Sequence, residues 1–149
     1  MQHCFSYGCN MSSRQMALRC PSAVVMSVAW LPDYRLTFPR RCSEWAGGVA
    51  GLVADEDGRV EGVVWEMREP DLAALDAYEG IAEREYIRER VQVHLADGKD
   101  LAVWAYFAVP EEGGPFFPGS AYLNTMIAGA IEHGLSATWL HRLREVRSQ

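Results

Sequence analysis

The segment from Val60 to Met67 constrains the fold most strongly, because apolar side chains occupy both of its faces. In an extended chain one face carries Val60, Gly62, Val64 and Glu66, and the other carries Glu61, Val63, Trp65 and Met67. A strand with one face in solvent alternates apolar and polar side chains instead. The pattern therefore predicts a central strand of a sheet.

Other parts of the chain carry strand patterns separated by turn residues. The predicted strands cover residues 2–6, 23–31, 34–38, 45–51, 86–95 and 100–109. Turn signals stand at Pro32-Asp33, Asp57-Gly58 and Asp97-Gly98, and we interpret the Asp-Gly pairs as hairpin turns. The glycines in residues 45–51 favour a strand that contains a bulge or lies in close contact with a neighbouring backbone segment.

Three segments predict helices. A short one follows Pro70 and ends at Gly80, and a longer one starts at a predicted cap, Ser120, and ends before Gly134. Ser136 is the predicted cap of a final helix. Without repeats or a linker, the order of elements predicts one α+β domain over residues 1–149. Its expected architecture is a mixed, strongly curved sheet or small β-barrel with a few flanking helices.

A carboxylate falls on the apolar face of the first predicted helix. Glu79 follows Leu72 by seven residues and Leu75 by four, so all three share one helix face. Gly80 ends the helix, which places Glu79 in the last turn, at the negative end of the helix dipole. Burial and the dipole both raise the pKa of such a carboxyl toward the range for proton transfer near neutral pH. The alternative is a glutamate that bends into solvent at a frayed helix end.

Charged residues around this helix are predicted to be solvated. Asp76 lies off the apolar stripe and is expected to be exposed or to act as a capping group, although it could pair with Glu79 as a second carboxylate. The same solvated position is expected for Glu83, Arg84, Glu85, Arg88, Glu89 and Arg90.

Composition argues against several classes of protein. Fourteen Lys and Arg against twenty Asp and Glu give a net charge of -6, whereas nucleic-acid binders usually carry a basic patch. No run of about 18 apolar residues is present, so no membrane span is expected. The first residues lack the pattern of a secretory signal. We therefore expect a cytoplasmic protein without nucleic-acid or membrane partners.

The cysteines and histidines do not have the spacing of a metal site. Four histidines are scattered without an i, i+4 pair on a helix. The cysteine separations of 5, 11 and 22 residues match no zinc pattern, the positions being Cys4, Cys9, Cys20 and Cys42. We expect four free thiols and no bound metal.

Several short motifs along nearly the whole chain resemble those of the γ-glutamylcyclotransferases and their AIG2-like relatives. The matching segments are Tyr7-Gly8-Cys9-Asn10-Met11, residues 34–38, 47–50 and 61–65, Leu75-Asp76-Ala77-Tyr78-Glu79-Gly80, Gly119-Ser120-Ala121-Tyr122 and the helix around Gly129. Each piece is short, and their order and spacing together carry the resemblance.

The resemblance implies a barrel with a cavity closed by the turn at residues 7–11, one catalytic glutamate and no cofactor. That glutamate corresponds to Glu79. The implied reaction releases 5-oxoproline from a small γ-glutamyl amino acid or amine, by attack of the substrate's α-amine on its own γ-carbonyl. The resemblance also implies substrate-binding positions at Tyr7, Gly8, Cys9, Asn10, Met11 and Tyr122. Some family members pair, so a monomer or a homodimer is expected.

Departures from the family pattern leave alternatives open. Cys9 stands where the family usually has Ser, which matters little if the turn acts through backbone N–H groups and more if a hydroxyl is required. Cys9 as a nucleophile would need a base, from His3 or His94. The chain could also be a pathway-specific enzyme that removes γ-glutamyl groups, or a binding module without turnover. Loops 39–46 and 110–119 are expected to contact the leaving group.

Overall fold

A closed five-stranded barrel forms the centre of the molecule, as predicted. The computed structural model describes residues 1–149. The strands are β1 (Gln2–Ser6), β2 (Val24–Cys42), β3 (Gly47–Met67), β4 (Tyr86–Leu95) and β5 (Asp100–Ala108). Their order around the barrel is β1-β3-β2-β4-β5, and a parallel contact between Cys4 and Trp104 closes it. All other strand pairs are antiparallel, so the barrel is mixed.

The predicted central strand occupies the second half of β3. It pairs with β1 on one side, where Phe5 lies opposite Val64, and with β2 on the other. Val60, Val63 and Val64 are fully buried. Two-sided burial explains the apolar pattern that marks this segment in the sequence.

The Asp57-Gly58 hairpin predicted from the sequence is wrong, because β3 runs through both residues without reversing. Pairing with β2 jumps here, from Pro32 opposite Arg59 to Tyr34 opposite Ala54. The predicted Pro32-Asp33 turn is also wrong, because β2 continues through these residues opposite the bulge in β3. A Cβ on Gly58 would lie 2.2 Å from the Tyr34 carbonyl oxygen, so glycine is required by close backbone contact rather than by a hairpin.

Four helices flank the barrel: α1 (Ser13–Arg19), α2 (Glu69–Glu79), α3 (Ser120–Glu132) and α4 (Ala137–Arg144). Helix α1 was not predicted from the sequence; it is short, with Met16 as its one buried residue and Ser12 as its cap. Ser136 caps α4 as predicted, accepting from the Trp139 N–H. Ser120 does not cap α3, since Gly119 occupies that position and Ser120 is the first helical residue.

Helix α2 has the end and the buried face that the sequence predicts, and it starts at Glu69, one residue before the predicted first position, Pro70. Leu72 and Leu75 pack into the core with 3% and 0% of their surface exposed. Gly80 adopts a left-handed conformation (φ 71°) and ends the helix. Glu79 is therefore held in the last turn, against the barrel. None of the four helices has the length and apolar character needed to cross a membrane.

Candidate active site

A cavity of about 340 Å³ lies between the end of β1, the β2–β3 connection and the last turn of α2. Its wall combines several aromatic rings with ionisable groups from separate parts of the chain. The residues that the sequence singles out and that line it are Tyr7, Gly8, Cys9, Asn10, Glu79 and Tyr122. The fold therefore brings the predicted turn, carboxyl and tyrosine to one cavity, although up to 115 residues separate them in the sequence.

The Glu79 carboxyl lines the cavity and is directly hydrogen-bonded to the predicted turn. Asn10 donates from Nδ2 to Glu79 Oε1 over 3.1 Å. The carboxyl is only partly exposed, which rules out the frayed helix end considered above.

The surroundings of Glu79 set its protonation near neutral pH. Burial raises the pKa of Glu79 from 4.5 to about 7, and the charge of Arg19 opposes this rise. The carboxylates of Asp76 and Glu85 add to it. A carboxyl with a pKa near the ambient pH is present in both protonation states, which suits it to accept a proton and then return it.

The turn after β1, which lines the cavity with residues 7–10, contains backbone donors without partners. The N–H groups of Gly8, Cys9 and Asn10 donate to no backbone carbonyl or side chain of the protein. Tyr7 anchors the turn by donating its O–H to the Tyr106 carbonyl. Three successive N–H groups without internal acceptors form a suitable nest for a carboxylate or an oxyanion.

Met11 is the one predicted site residue that does not line the cavity. Its side chain is fully buried in the core, where it packs against Gly129 of α3. Its N–H donates to the Gly8 carbonyl at 3.2 Å, which closes the turn. His133 also bonds the Met11 carbonyl, at 2.8 Å. Met11 therefore shapes the turn and presents no side chain to the cavity.

Tyr122 is fixed by one bond and keeps its hydroxyl proton free for a ligand. Its oxygen accepts the Ala50 N–H at 3.0 Å, and its O–H donates to no protein group. Burial raises the pKa of Tyr122 well above 10, so the hydroxyl stays protonated. Gly8 allows this arrangement, because a Cβ there would lie 2.8 Å from the Tyr122 oxygen. Tyr86 holds the same strand by donating to the Ala50 carbonyl at 2.8 Å.

Cys9 lacks the environment of a nucleophile. Burial raises the pKa of its thiol to about 12, which keeps the sulfur neutral. Its hydrogen-bond contact is with Asn10 Oδ1 at 3.9 Å. His3 pairs with Glu66 and His94 with Asp100, and neither histidine lines the cavity. Neither histidine considered as a base for the Cys9 thiol is therefore near it.

Several cavity residues were not predicted as part of a site. Glu85 lines the wall instead of facing solvent, and Tyr78, Tyr86 and Tyr106 line it as well. Residues 40–45, at the end of β2 and in the β2–β3 connection, contribute to the wall as expected for segment 39–46, whereas residues 110–119 do not. Strand alternation at 86 and 106 was the available signal, but each strand has two faces and the sequence does not say which one meets the cavity.

Asp76 is neither exposed nor a helix cap. Tyr106 donates its O–H to Asp76 Oδ1 at 2.6 Å, and Arg88 Nε lies 3.3 Å from the same oxygen. The Asp76 and Arg88 side chains are only 26% and 25% exposed. The prediction of a solvated Asp76 and Arg88 is therefore wrong, because Tyr106 of β5 and Arg88 of β4 both reach the Asp76 carboxylate.

The structure contains no group of side chains arranged to bind a metal ion. No three or more His, Cys, Asp or Glu side chains are grouped so that they could hold an ion. All four cysteines are free thiols, as expected from their spacing.

These features define a class: small mixed barrels whose cavity presents one carboxyl suited to proton transfer beside a turn rich in backbone donors. The model of the AIG2-like family matches residues 59–143, more than half of the chain. The γ-glutamylcyclotransferase of Bos taurus is 34% identical over 146 residues, and the match covers 95% of this chain and 77% of that protein. The Mus musculus γ-glutamylcyclotransferase is 31% identical over the same shares.

Solved structures agree with the sequence comparisons. A γ-glutamyl cyclotransferase structure superimposes with a TM-score of 0.94 at 29% identity, covering 99% of this chain and 89% of that one. The chain belongs to the AIG2-like family of γ-glutamylcyclotransferases, as the order of its motifs predicts.

Proposed function

We propose that this protein is a γ-glutamylcyclotransferase that releases 5-oxoproline from a small γ-glutamyl amino acid or amine, with Glu79 as the general acid and base. The observation that carries the proposal is the Glu79 carboxyl, which lines the cavity with a pKa raised to about 7 by burial. Membership of the family supports the same reaction. We further propose that the protein acts in the cytoplasm, as a monomer or a homodimer.

One carboxyl can serve both proton transfers of this reaction. Ionised Glu79 takes a proton from the substrate's α-ammonium group, and the freed amine attacks the γ-carbonyl carbon to form the ring C–N bond. The resulting oxyanion collapses, the original γ C–N bond breaks, and the departing nitrogen takes the proton back from Glu79. The ring nitrogen still carries two protons after the attack; it gives one to the Glu79 carboxylate, which passes it to the released amine. The products are 5-oxoproline and the amine as its ammonium ion, and the carboxylate is restored.

The remaining contribution of the cavity is to hold the γ-glutamyl chain in a ring-forming shape. Because nucleophile and electrophile belong to one molecule, orientation can remove about 7 kcal/mol or more of the barrier. The N–H groups of Gly8, Cys9 and Asn10 are suited to bind the α-carboxylate or the oxyanion. The free O–H of Tyr122 supplies a further donor.

In this proposal Cys9 acts through its backbone, so a thiol can replace the family's usual hydroxyl. The neutral, buried Cys9 sulfur is a weak donor, and its contact with Asn10 spans 3.9 Å. Cys9→Ser is therefore expected to leave turnover within a few-fold of the wild type, roughly what one weak hydrogen bond is worth.

The test is release of 5-oxoproline from a panel of γ-glutamyl amino acids, γ-glutamyl amines and glutathione. We expect at least one of them to be turned over, and the best one identifies the leaving group. Cys9→Ser and Glu79→Gln are measured beside the wild type, with the fold of each checked by circular dichroism. A folded wild type that releases no 5-oxoproline from any member of the panel, yet binds one of them by calorimetry, is instead a binding module.

A further inference from the structure

Asp76 lies one helical turn before Glu79, on the side of α2 that faces strands β4 and β5. Its Oδ1 atom accepts the O–H of Tyr106 at 2.6 Å and lies 3.3 Å from Arg88 Nε. Arg88 and Tyr106 are directly opposite each other in the β4–β5 ladder. One carboxylate oxygen of the helix is thus held by a cross-strand pair of the barrel.

These contacts join the helix end to the cavity wall. The Tyr106 ring lines the cavity, and its own carbonyl accepts the O–H of Tyr7 from the predicted turn. The apolar side chains of Leu72 and Leu75 set the depth of α2 in the core without fixing a hydrogen-bond geometry. Asp71 holds the first turn by accepting the Ser22 N–H at 2.7 Å, and Asn10 donates to Glu79 in the last turn. Asp76 adds the contact between the last turn and strands β4 and β5. The polar contacts of Asp76 are directional, so they restrict how the last turn rotates and shifts.

We infer that Asp76, clasped by Tyr106 and Arg88, is a positioning residue that fixes where the Glu79 carboxyl stands in the cavity. The inference rests on the proposed function and assigns a role beyond it, because Asp76 lines no part of the cavity and touches no reacting atom. The set of Asp76, Tyr106 and Arg88 is called the latch below.

Electrostatics give the latch a second, separable effect on Glu79. The Asp76 charge raises the pKa of Glu79, as does Glu85, and Arg19 on α1 lowers it. The other titratable groups that face Glu79 stay neutral because burial raises their pKa values; they are Cys4, Tyr7, Cys9, Tyr86, Tyr106 and Tyr122. Removing the Asp76 charge is therefore expected to lower the pKa of Glu79.

Three variants separate geometry from charge. Asp76→Asn keeps the shape and removes the charge, Tyr106→Phe removes one hydrogen bond and keeps the charge, and the double variant joins them. We expect each single change to lower kcat by about 10- to 100-fold with a smaller change in KM, since a sub-ångström misplacement of a catalytic group has effects of this order. Because both act through one contact, the double variant loses no more than the worse single variant.

A matched pair of arginines supplies the control. Arg88 and Arg90 both stack on the Trp104 ring, at 4.2 Å and 4.4 Å, but Arg88 alone contacts Asp76. Arg88→Gln is expected to lower kcat, whereas Arg90→Gln leaves it unchanged. Equal losses in both would assign the effect to stacking on Trp104 and overturn the latch.

A second readout does not depend on turnover. Carboxyl ¹³C NMR follows the titration of Glu79, and we expect its midpoint to lie lower in Asp76→Asn than in the wild type. If the folded wild type releases no 5-oxoproline, the proposed function fails and this titration alone decides the inference. Any one of three results overturns the inference: unchanged kcat in both single variants, losses that multiply in the double variant, or an unchanged Glu79 midpoint in Asp76→Asn. None of these results bears on whether an active wild type is a cyclotransferase.

Discussion

Burying Glu79 makes the stability of this protein depend on pH, and Glu79→Gln should remove that dependence. The pKa of Glu79 is about 7 in the folded protein, against its ordinary 4.5. Between these values the folded state binds a proton that the unfolded chain releases, so the free energy of unfolding falls as the pH rises through this window. At about 1.4 kcal/mol per pKa unit, the loss above pH 7 amounts to about 3 kcal/mol.

Glutamine has nearly the same shape, carries no charge and still accepts the Asn10 N–H at Oε1. Relative to the wild type, the variant should therefore gain about 3 kcal/mol of unfolding free energy between about pH 4.5 and about pH 8. At the lower pH both side chains are neutral in the folded state. Urea unfolding of both proteins at the two pH values measures this difference, and all other titrating groups cancel. Glu56→Gln, an exposed carboxylate on β3, is the control and should show no such change. If the unfolding free energies of wild type and Glu79→Gln depend on pH equally, burial does not destabilise the ionised Glu79 carboxylate and the reasoning is refuted.

Three further predictions concern other parts of the site and its support. Arg19→Met removes the cation that lowers the pKa of Glu79, so the acidic limb of the kcat/KM profile should move to higher pH if Glu79 is the base. An acidic limb that stays in place or moves to lower pH contradicts this role of Arg19. Gly8→Ala places a Cβ 2.8 Å from the Tyr122 oxygen, and thermal unfolding should show a loss of about 1–3 kcal/mol together with reduced turnover. Ser136→Ala removes the cap that accepts the Trp139 N–H at 3.1 Å and the O–H donated to the buried Glu61 carboxylate at 2.5 Å. Unfolding should therefore become easier by about 2–4 kcal/mol while kcat is unchanged.

The parts of the site that sequence reasoning found depend on local signals. The spacing of Leu72, Leu75 and Glu79 and the stop at Gly80 suffice to place a carboxyl at the inner end of a short helix. Each of these signals acts within about two helical turns, where the periodicity of the chain determines which side chains share a face.

The parts that it missed depend on strand register and on which way a turn faces. Tyr106 and Arg88 reach Asp76 only because β4 and β5 pair in one particular register, and alternation alone does not reveal this. Met11 belongs to the turn motif, yet its side chain enters the core while the backbone around it faces the cavity.

Pairing between distant segments also overrides local turn preference. Asp57-Gly58 has the composition of a hairpin turn, but β2 supplies a partner along this part of β3, and the two residues are absorbed in a bulge. The hairpin between these strands lies instead at residues 43–46, next to the cavity.

The central claim is that the Glu79 carboxyl carries the proton in 5-oxoproline release. The most direct measurement is kcat for the best γ-glutamyl substrate in the wild type and in folded Glu79→Gln, with substrate binding to both followed by calorimetry. We predict a loss on the order of 10²-fold or more in kcat with binding retained. Turnover by Glu79→Gln within a few-fold of the wild type would contradict the account.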